Sequence, residues 1–208
     1  MTLRYVALGD SYTIGISVAR SDAWPEQLVA ALGNGPDGLP RLNLLANLAT
    51  NGRTSRDVLR DQLSRAVLLD PQFVSLLIGV NDVVQGVSRD AYRVNLVAIL
   101  DRLLALLPAH RLLTVTTPDY TVTPAGARFG DPAVQHARIE MANAILVAEA
   151  AARRIACVDI WAISGRAAAE PELVAHDGLH PSARQYALWL GQIGPVVQAL
   201  LDRGRPTG

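Results

Sequence analysis

The sequence has 208 residues, of which 50% are hydrophobic and 18% are charged. This composition is ordinary for a globular protein, and the length fits one domain. Nineteen basic residues cancel nineteen acidic ones, so charge gives no reason to expect nucleic acid or an anionic membrane surface as a partner. Every basic residue is arginine, which excludes a catalytic lysine.

Cysteine and histidine are few. Cys157 is the single cysteine and lies in the apolar run 155–160, so we expect a buried thiol without a chemical role. No spacing of cysteine and histidine is typical of a metal site, and we expect neither a metal nor a cofactor. No apolar run approaches the ~20 residues that a membrane helix needs. Because the first strand begins a few residues after Met1, leaving no room for a signal peptide, we expect a cytoplasmic protein.

Short apolar runs rich in β-favouring residues alternate with helical patterns along the chain. The runs predict five buried strands, at residues 3–8, 42–49, 73–78, 111–116 and 155–160. Helical spacing and capping residues predict helices between them, namely one beginning at Trp24, then 54–69, 88–107, 131–152 and the short 161–169. A last helix is predicted from Pro181 to Asp202, with a bend near Pro195.

The alternation of strands and helices predicts the fold class. Right-handed crossovers place five such strands in one parallel sheet with helices on both faces. We therefore expect an α/β fold, a three-layer α/β/α sandwich in a single domain over residues 1–203, followed by a C-terminal tail at 204–208. A long loop covers residues 117–130, and a second loop covers residues 170–180.

The segment Gly9-Asp10-Ser11 ends the first strand abruptly. Parallel α/β sheets bind their ligands at the carboxyl edge of the strands, where this serine falls. The alternative is that Ser11 caps a helix and Gly9 is a turn glycine. This segment alone favours the alternative, whereas three later segments favour a catalytic role for Ser11.

Those later segments bring further polar groups to the same edge. Gly52 and Asn81 follow the second and third strands, and His180 lies in the loop after the fifth. Together with Ser11 they are the groups that acyl transfer requires. His180 could take the proton from the Ser11 hydroxyl, which is a poor nucleophile until it is deprotonated.

The remaining roles follow from the chemistry of a tetrahedral intermediate. Asp177, three residues before His180, could accept the Nδ1 proton of the ring, although a backbone carbonyl could also orient it. The negative oxygen of the intermediate needs donors, and three are available: the N–H of Ser11, the N–H of Gly52 and the side-chain amide of Asn81.

These segments resemble the consensus blocks of the SGNH (GDSL-type) hydrolases in order and spacing. The matching blocks are Gly9-Asp10-Ser11-Tyr12, Gly52, Gly79-Val80-Asn81-Asp82 and Asp177-Gly178-Leu179-His180-Pro181. The resemblance spans residues 5–186 and implies a flavodoxin-like sandwich. It also implies that Ser11 is the nucleophile, that Gly52 and Asn81 are oxyanion donors, and that Asp177 and His180 complete a triad. Tyr12 replaces the leucine common at its position.

Other residues are expected around the substrate. We predict contacts from Asp10, Tyr12 and Leu179, which lie within the blocks. Tyr120 and Phe129 lie in the long loop after the fourth strand, where they line the acyl pocket or pack the loop onto the protein. Asp82 is expected to fix its own loop through side-chain hydrogen bonds.

The sequence thus predicts a serine esterase that resembles the esterases and lysophospholipases of this family. Its expected partner is a small-molecule carboxylic ester. Short-chain, aryl or acetyl esters are favoured because no large inserted lid is present. An acyltransferase, a thioesterase or a lysophospholipase using the same acyl-enzyme remains an alternative. A nucleotide-binding module is disfavoured because the first turn lacks both a G-x-G-x-x-G pattern and a phosphate-binding lysine. The oligomeric state is left open.

Overall fold

The computed structural model describes residues 2–35 and 38–203. Its centre is a sheet of five parallel strands in the order β2-β1-β3-β4-β5. The strands are β1 (Leu3–Gly9), β2 (Leu42–Asn47), β3 (Phe73–Leu77), β4 (Leu112–Val115) and β5 (Ala156–Val158). The predicted five-stranded parallel sheet is confirmed. Strands β2, β4 and β5 are two or three residues shorter than predicted.

Helices cover both faces of the sheet and complete the predicted three-layer sandwich. They are α1 (Ser11–Ile14), α2 (Trp24–Leu32), α3 (Ser55–Asp57), α4 (Leu63–Leu68), α5 (Val80–Val84), α6 (Arg89–Leu106), α7 (Pro132–Ala152), α8 (Trp161–Gly165) and α9 (Ala183–Arg203). Helix α2 packs on α9, and α6 packs on α7. Over residues 2–35 and 38–203, none of the helices has the length and hydrophobicity to cross a membrane.

Capping residues set several helix starts as the sequence predicts. The Ser88 hydroxyl accepts from the N–H of Ala91 at 3.2 Å, and Asp131 accepts from the N–H of Val134 at 3.0 Å. Helix α9 starts two residues later than predicted and continues through Pro195. Residues 36–37 and the tail predicted at 204–208 lie outside the described residues.

Two short helices and a π-helical turn were not predicted. Helices α1 and α5 begin within two or three residues of the ends of β1 and β3, in segments that the sequence suggested were turns. The predicted helix 54–69 contains a π-helical turn, Val58–Gln62, between α3 and α4. Such turns are frequent at functional sites. Here the Gln62 side chain donates to the carbonyl of Gly9 at 2.7 Å and accepts from its N–H at 2.9 Å.

Gly9 ends β1 in a conformation and a space that only glycine fits. Its φ is +153°, a region that side chains rarely adopt. A Cβ at this position would lie 2.3 Å from the carbonyl oxygen of Leu77 and 2.4 Å from Oγ1 of Thr13. The close packing of β1 against β3 and α1 at the site edge therefore depends on this glycine.

We predict that Gly9→Ala lowers the free energy of unfolding by about 2–5 kcal/mol, because overpacking and backbone strain add. Gly191→Ala is the matched control. Gly191 is exposed within α9, and a Cβ there has open space, so the variant should gain up to about 1 kcal/mol. Urea unfolding of both variants checks this, and equal effects would show that Gly9 is not constrained.

Candidate active site

A cavity of about 320 Å³ opens at the carboxyl edge of the sheet. It receives residues from the segments that follow β1, β2, β3, β4 and β5, as parallel topology requires. Eight of the ten predicted site residues line it: Ser11, Tyr12, Gly52, Asn81, Tyr120, Phe129, Leu179 and His180. Asn51, Val80 and Val84 also line it and were not predicted.

Ser11 is placed by the end of β1. The last residue of β1, Gly9, pairs with Leu77, the last residue of β3, so the two strands end level. Ser11 is then the first residue of α1 and is only 4% exposed. The cap of α1 is Asp10, whose carboxylate accepts from the N–H of Tyr12 at 3.0 Å. The alternative in which Ser11 is the capping residue is therefore wrong.

Asp177 and His180 form a close pair. Asp177 Oδ2 lies 2.6 Å from His180 Nδ1, and Oδ1 accepts from the N–H groups of Leu179 and His180 at 2.9 and 3.0 Å. Ser17, which the sequence did not predict, donates from Oγ to Asp177 Oδ2 at 2.7 Å. Partial burial alone would raise the pKa of Asp177, but these hydrogen bonds outweigh it and hold the pKa well below its ordinary value.

The His180 ring is packed as well as hydrogen-bonded. The ring lies against the ring of Tyr12, with centroids 5.1 Å apart and planes tilted by 49°. The hydroxyl of Tyr186, on α9, donates to the carbonyl of Tyr12 at 3.0 Å. Tyr12 thus supports the histidine from the segment that carries Ser11, and α9 fixes Tyr12.

Gly52 and Asn81 face the same cavity on its other side. Gly52 has φ +75°, and a Cβ there would meet no atom within 4 Å. The conformation therefore favours glycine, whereas close packing does not require it. Among residues 2–35 and 38–203, the N–H of Gly52 has no hydrogen-bond acceptor. The N–H of Ser11, at the start of α1, has no acceptor within that helix.

The Asn81 side chain is held by two acceptors. Its Nδ2 donates to the carbonyl of Arg53 at 3.1 Å and to Asp10 Oδ2 at 3.3 Å. An amide nitrogen carries two hydrogens, so a third acceptor in the cavity must share or replace one of these bonds. The longer bond, to Asp10, is the weaker of the two by distance.

Asp10 is not a cavity residue, which corrects its prediction as a substrate contact. It is 0% exposed and lies beneath the site, where it caps α1 and accepts from Asn81. Burial raises the pKa of Asp10 to about 7, against the lowering effect of the Tyr12 N–H. The side chain of Asp82, 2% exposed, accepts from the N–H and hydroxyl of Ser55 at 2.8 and 2.5 Å. Asp82 lies in α5 and ties it to the start of α3, so the expectation that it fixes its own loop is wrong.

The long loop after β4 forms one wall of the cavity. The rings of Tyr120 and Phe129 meet edge to face, with centroids 5.8 Å apart. The N–H of Ala125 donates to the carbonyl of Gly178 at 2.8 Å, which joins this loop to the loop that carries Asp177 and His180. Tyr120 and Phe129 therefore both line the cavity and pack on each other.

The sequence as a whole matches one family. The model of the GDSL-like lipase/acylhydrolase family matches residues 7–188. The chain belongs to this family. It is a carboxylic ester hydrolase with the SGNH fold, as the sequence blocks indicated. None of the curated proteins matches the chain.

Solved structures share the fold at low identity. An α/β hydrolase, LAE5, from the metagenome of Lake Arreo in Spain is 21% identical, with 98% of this chain and 97% of that chain covered and a TM-score of 0.71. A lipolytic G-D-S-L family protein from Veillonella parvula is 18% identical, with 98% and 100% covered and a TM-score of 0.71. The acetylxylan esterase Axe2 from Geobacillus stearothermophilus is 18% identical, with 98% and 95% covered and a TM-score of 0.71.

We predict opposite pH dependences of stability for Asp10, which is buried, and Asp177, which is partly exposed. The folded pKa of Asp10 lies above the ordinary value of 3.8, so its ionisation destabilises the fold as pH rises from about 4 to 7. The stability of Asp10→Asn relative to the natural protein should therefore rise across that window and stay level above it. Urea unfolding at a series of pH values measures this difference.

Asp177→Asn serves as the control for that series. Because the folded pKa of Asp177 is lowered, its carboxylate stabilises the fold above the ordinary pKa, and this contribution is lost as pH falls through the folded pKa. The relative stability of Asp177→Asn should thus fall with rising pH below about pH 4, the opposite sign to that of Asp10→Asn. If the difference in stability between Asp10→Asn and the natural protein did not change from pH 4 to pH 7, the raised pKa of Asp10 would be contradicted.

Proposed function

We propose that the protein is a serine esterase that cleaves short-chain, aryl or acetyl carboxylic esters through an acyl-serine intermediate. The observation that carries the proposal is the 2.6 Å Asp177–His180 contact beside a cavity that Ser11 shares. A histidine held at Nδ1 by a carboxylate presents Nε2 as a base, and a serine in the same cavity is its natural partner.

In the first half-reaction, His180 Nε2 takes the hydroxyl proton of Ser11 while Oγ attacks the carbonyl carbon of the ester. The N–H groups of Ser11 and Gly52 and the amide of Asn81 donate to the negative oxygen that forms. The C–O bond to the alcohol then breaks, and His180 returns the proton to the leaving alkoxide. Asp177 fixes the ring and stabilises its protonated form.

In the second half-reaction, water replaces the alcohol. His180 takes a proton from the water as its oxygen attacks the acyl carbon, and the same donors stabilise the second oxyanion. Collapse of this intermediate releases the carboxylic acid and returns the proton to Ser11. An alcohol in place of water would give acyl transfer, which is the alternative outcome of the same acyl-enzyme.

The size of the cavity supports short acyl groups. Its volume of about 320 Å³ is at the low end for ligand pockets and must hold both sides of the ester. The apolar part of the cavity wall is formed by Val80, Val84, Phe129 and Leu179. The acetyl ester specificity named for Axe2 agrees with this size.

A cytoplasmic location stays a prediction.

We predict that Ser11→Ala lowers kcat for 4-nitrophenyl acetate by at least ~10⁴-fold, because no other nucleophile replaces the hydroxyl. A panel of acetate, butyrate and octanoate esters should show the fastest hydrolysis for the acetate ester. An acetyl thioester in the same panel tests the thioesterase alternative, and an alcohol added to the assay tests the acyltransferase alternative. A fluorophosphonate should add one adduct, on Ser11. Ser88→Ala, which removes a helix cap far along the chain, is the control and should keep its activity. An unchanged rate in Ser11→Ala would disprove the proposal.

We predict that Asn81→Ala lowers kcat by ~10²-fold or more with a smaller change in KM, since an oxyanion donor acts mainly in the transition state. Steady-state kinetics with 4-nitrophenyl acetate measures both constants. A rise in KM alone would instead make Asn81 a residue that positions the substrate.

A further inference from the structure

Ser17 makes a contact with the site that neither the sequence blocks nor the family match assigns. Its hydroxyl donates to Asp177 Oδ2 at 2.7 Å across 160 residues of sequence. The same oxygen faces His180 Nδ1 at 2.6 Å. Ser17 is thus one bond removed from the histidine that the proposed mechanism uses as base.

The backbone at Ser17 is strained in a way that the hydroxyl explains. Its φ is +69°, in the left-handed region that non-glycine residues seldom occupy. Gly15, two residues earlier, also has a left-handed φ and ends α1. Glycine would adopt the conformation of Ser17 at lower cost but could not reach Asp177. Strain of this kind persists where the surrounding contacts determine it, often at functional sites.

The contact also links two loops that must hold a fixed relation. Ser17 lies six residues after Ser11, just beyond the helix that begins with the nucleophile. Asp177 lies in the loop that carries His180 and accepts four hydrogen bonds there, of which the Ser17 bond alone comes from outside residues 177–180. The other three fix the carboxylate within its own loop, and Ser17 fixes it relative to the segment of Ser11.

We propose that Ser17 is a positioning residue that holds the Asp177 carboxylate in the orientation that aligns His180 with Ser11. The inference rests on the proposed esterase function and adds a fourth side chain to its triad. Ser17 touches neither the substrate nor the reacting atoms, so its effect passes through Asp177. Its loss should lower kcat and leave KM nearly unchanged.

A double-mutant cycle tests this dependence on Asp177. The proteins are the natural chain, Ser17→Ala, Asp177→Asn and the double variant, assayed with 4-nitrophenyl acetate. We expect Ser17→Ala to lower kcat about 10-fold, as for a lost hydrogen bond to a charged group, with KM changed less than about twofold. In the Asp177→Asn background one of the two accepting oxygens becomes an NH2 group, which cannot accept from Ser17 and His180 while the remaining oxygen accepts from the backbone N–H groups of Leu179 and His180. Ser17→Ala should therefore cost nothing further there.

Ser17→Gly separates the hydroxyl from the backbone strain. It removes the hydroxyl and relieves the left-handed conformation, so it should fold even if Ser17→Ala folds poorly. We expect it to lose as much kcat as Ser17→Ala while being the more stable of the two. Ser88→Ala, which loses a hydroxyl that only caps α6, should retain its kcat. A natural rate in Ser17→Gly, or an equal loss from Ser17→Ala in both backgrounds, would overturn the proposal.

The same four proteins give a readout that does not need activity. Urea unfolding should show that Ser17→Ala destabilises the natural chain at pH 7 more than it destabilises Asp177→Asn, since a hydrogen bond to a charged carboxylate is stronger than one to a neutral amide. If the natural chain cleaves no ester but this coupling is present, the esterase proposal fails while the Ser17–Asp177 contact stands. If the natural chain is active and the coupling is absent, only the inference about Ser17 fails and the esterase proposal stands.

Discussion

Everything at the site depends on the parallel arrangement of β1 between β2 and β3. Right-handed crossovers bring the carboxyl ends of all five strands to one edge, and Gly9 pairs with Leu77 so that β1 and β3 end level. Two short helices then begin within a few residues of these ends. Ser11 and Asn81 are therefore placed by strand register, and their separation does not depend on flexible loops.

Beneath the cavity, buried polar groups satisfy one another and keep this edge rigid. Gln62 pairs with both backbone groups of Gly9, and Asp10 joins the start of α1 to Asn81. Asp82 joins Ser55 to the segment after β3 in the same way. The bonds made by Gln62, Asn81 and Asp82 each link segments associated with different strands. Buried networks of this kind favour a unique structure when their members are satisfied.

The sequence was sufficient for the strands, the order of layers and most of the cavity, because apolar runs and turn residues are local signals. It was insufficient where long-range contacts decide. Nothing near Ser17 indicates a partner 160 residues away. Asp10 looked like a substrate contact because it precedes Ser11, and only the packing of α1 shows that it is buried. The π-helical turn that presents Gln62 has no sequence pattern of its own.

The long stretch of chain between Ser11 and Asp177 has a consequence for how the protein folds. Ser11 is synthesised well before the loop with Asp177 and the helix α9 that packs on α2. Contacts so distant in sequence form late and slowly, because a long loop must close first. A growing chain therefore carries Ser11 before His180 has been added, and the site can assemble only once the loop of Asp177 and helix α9 have docked.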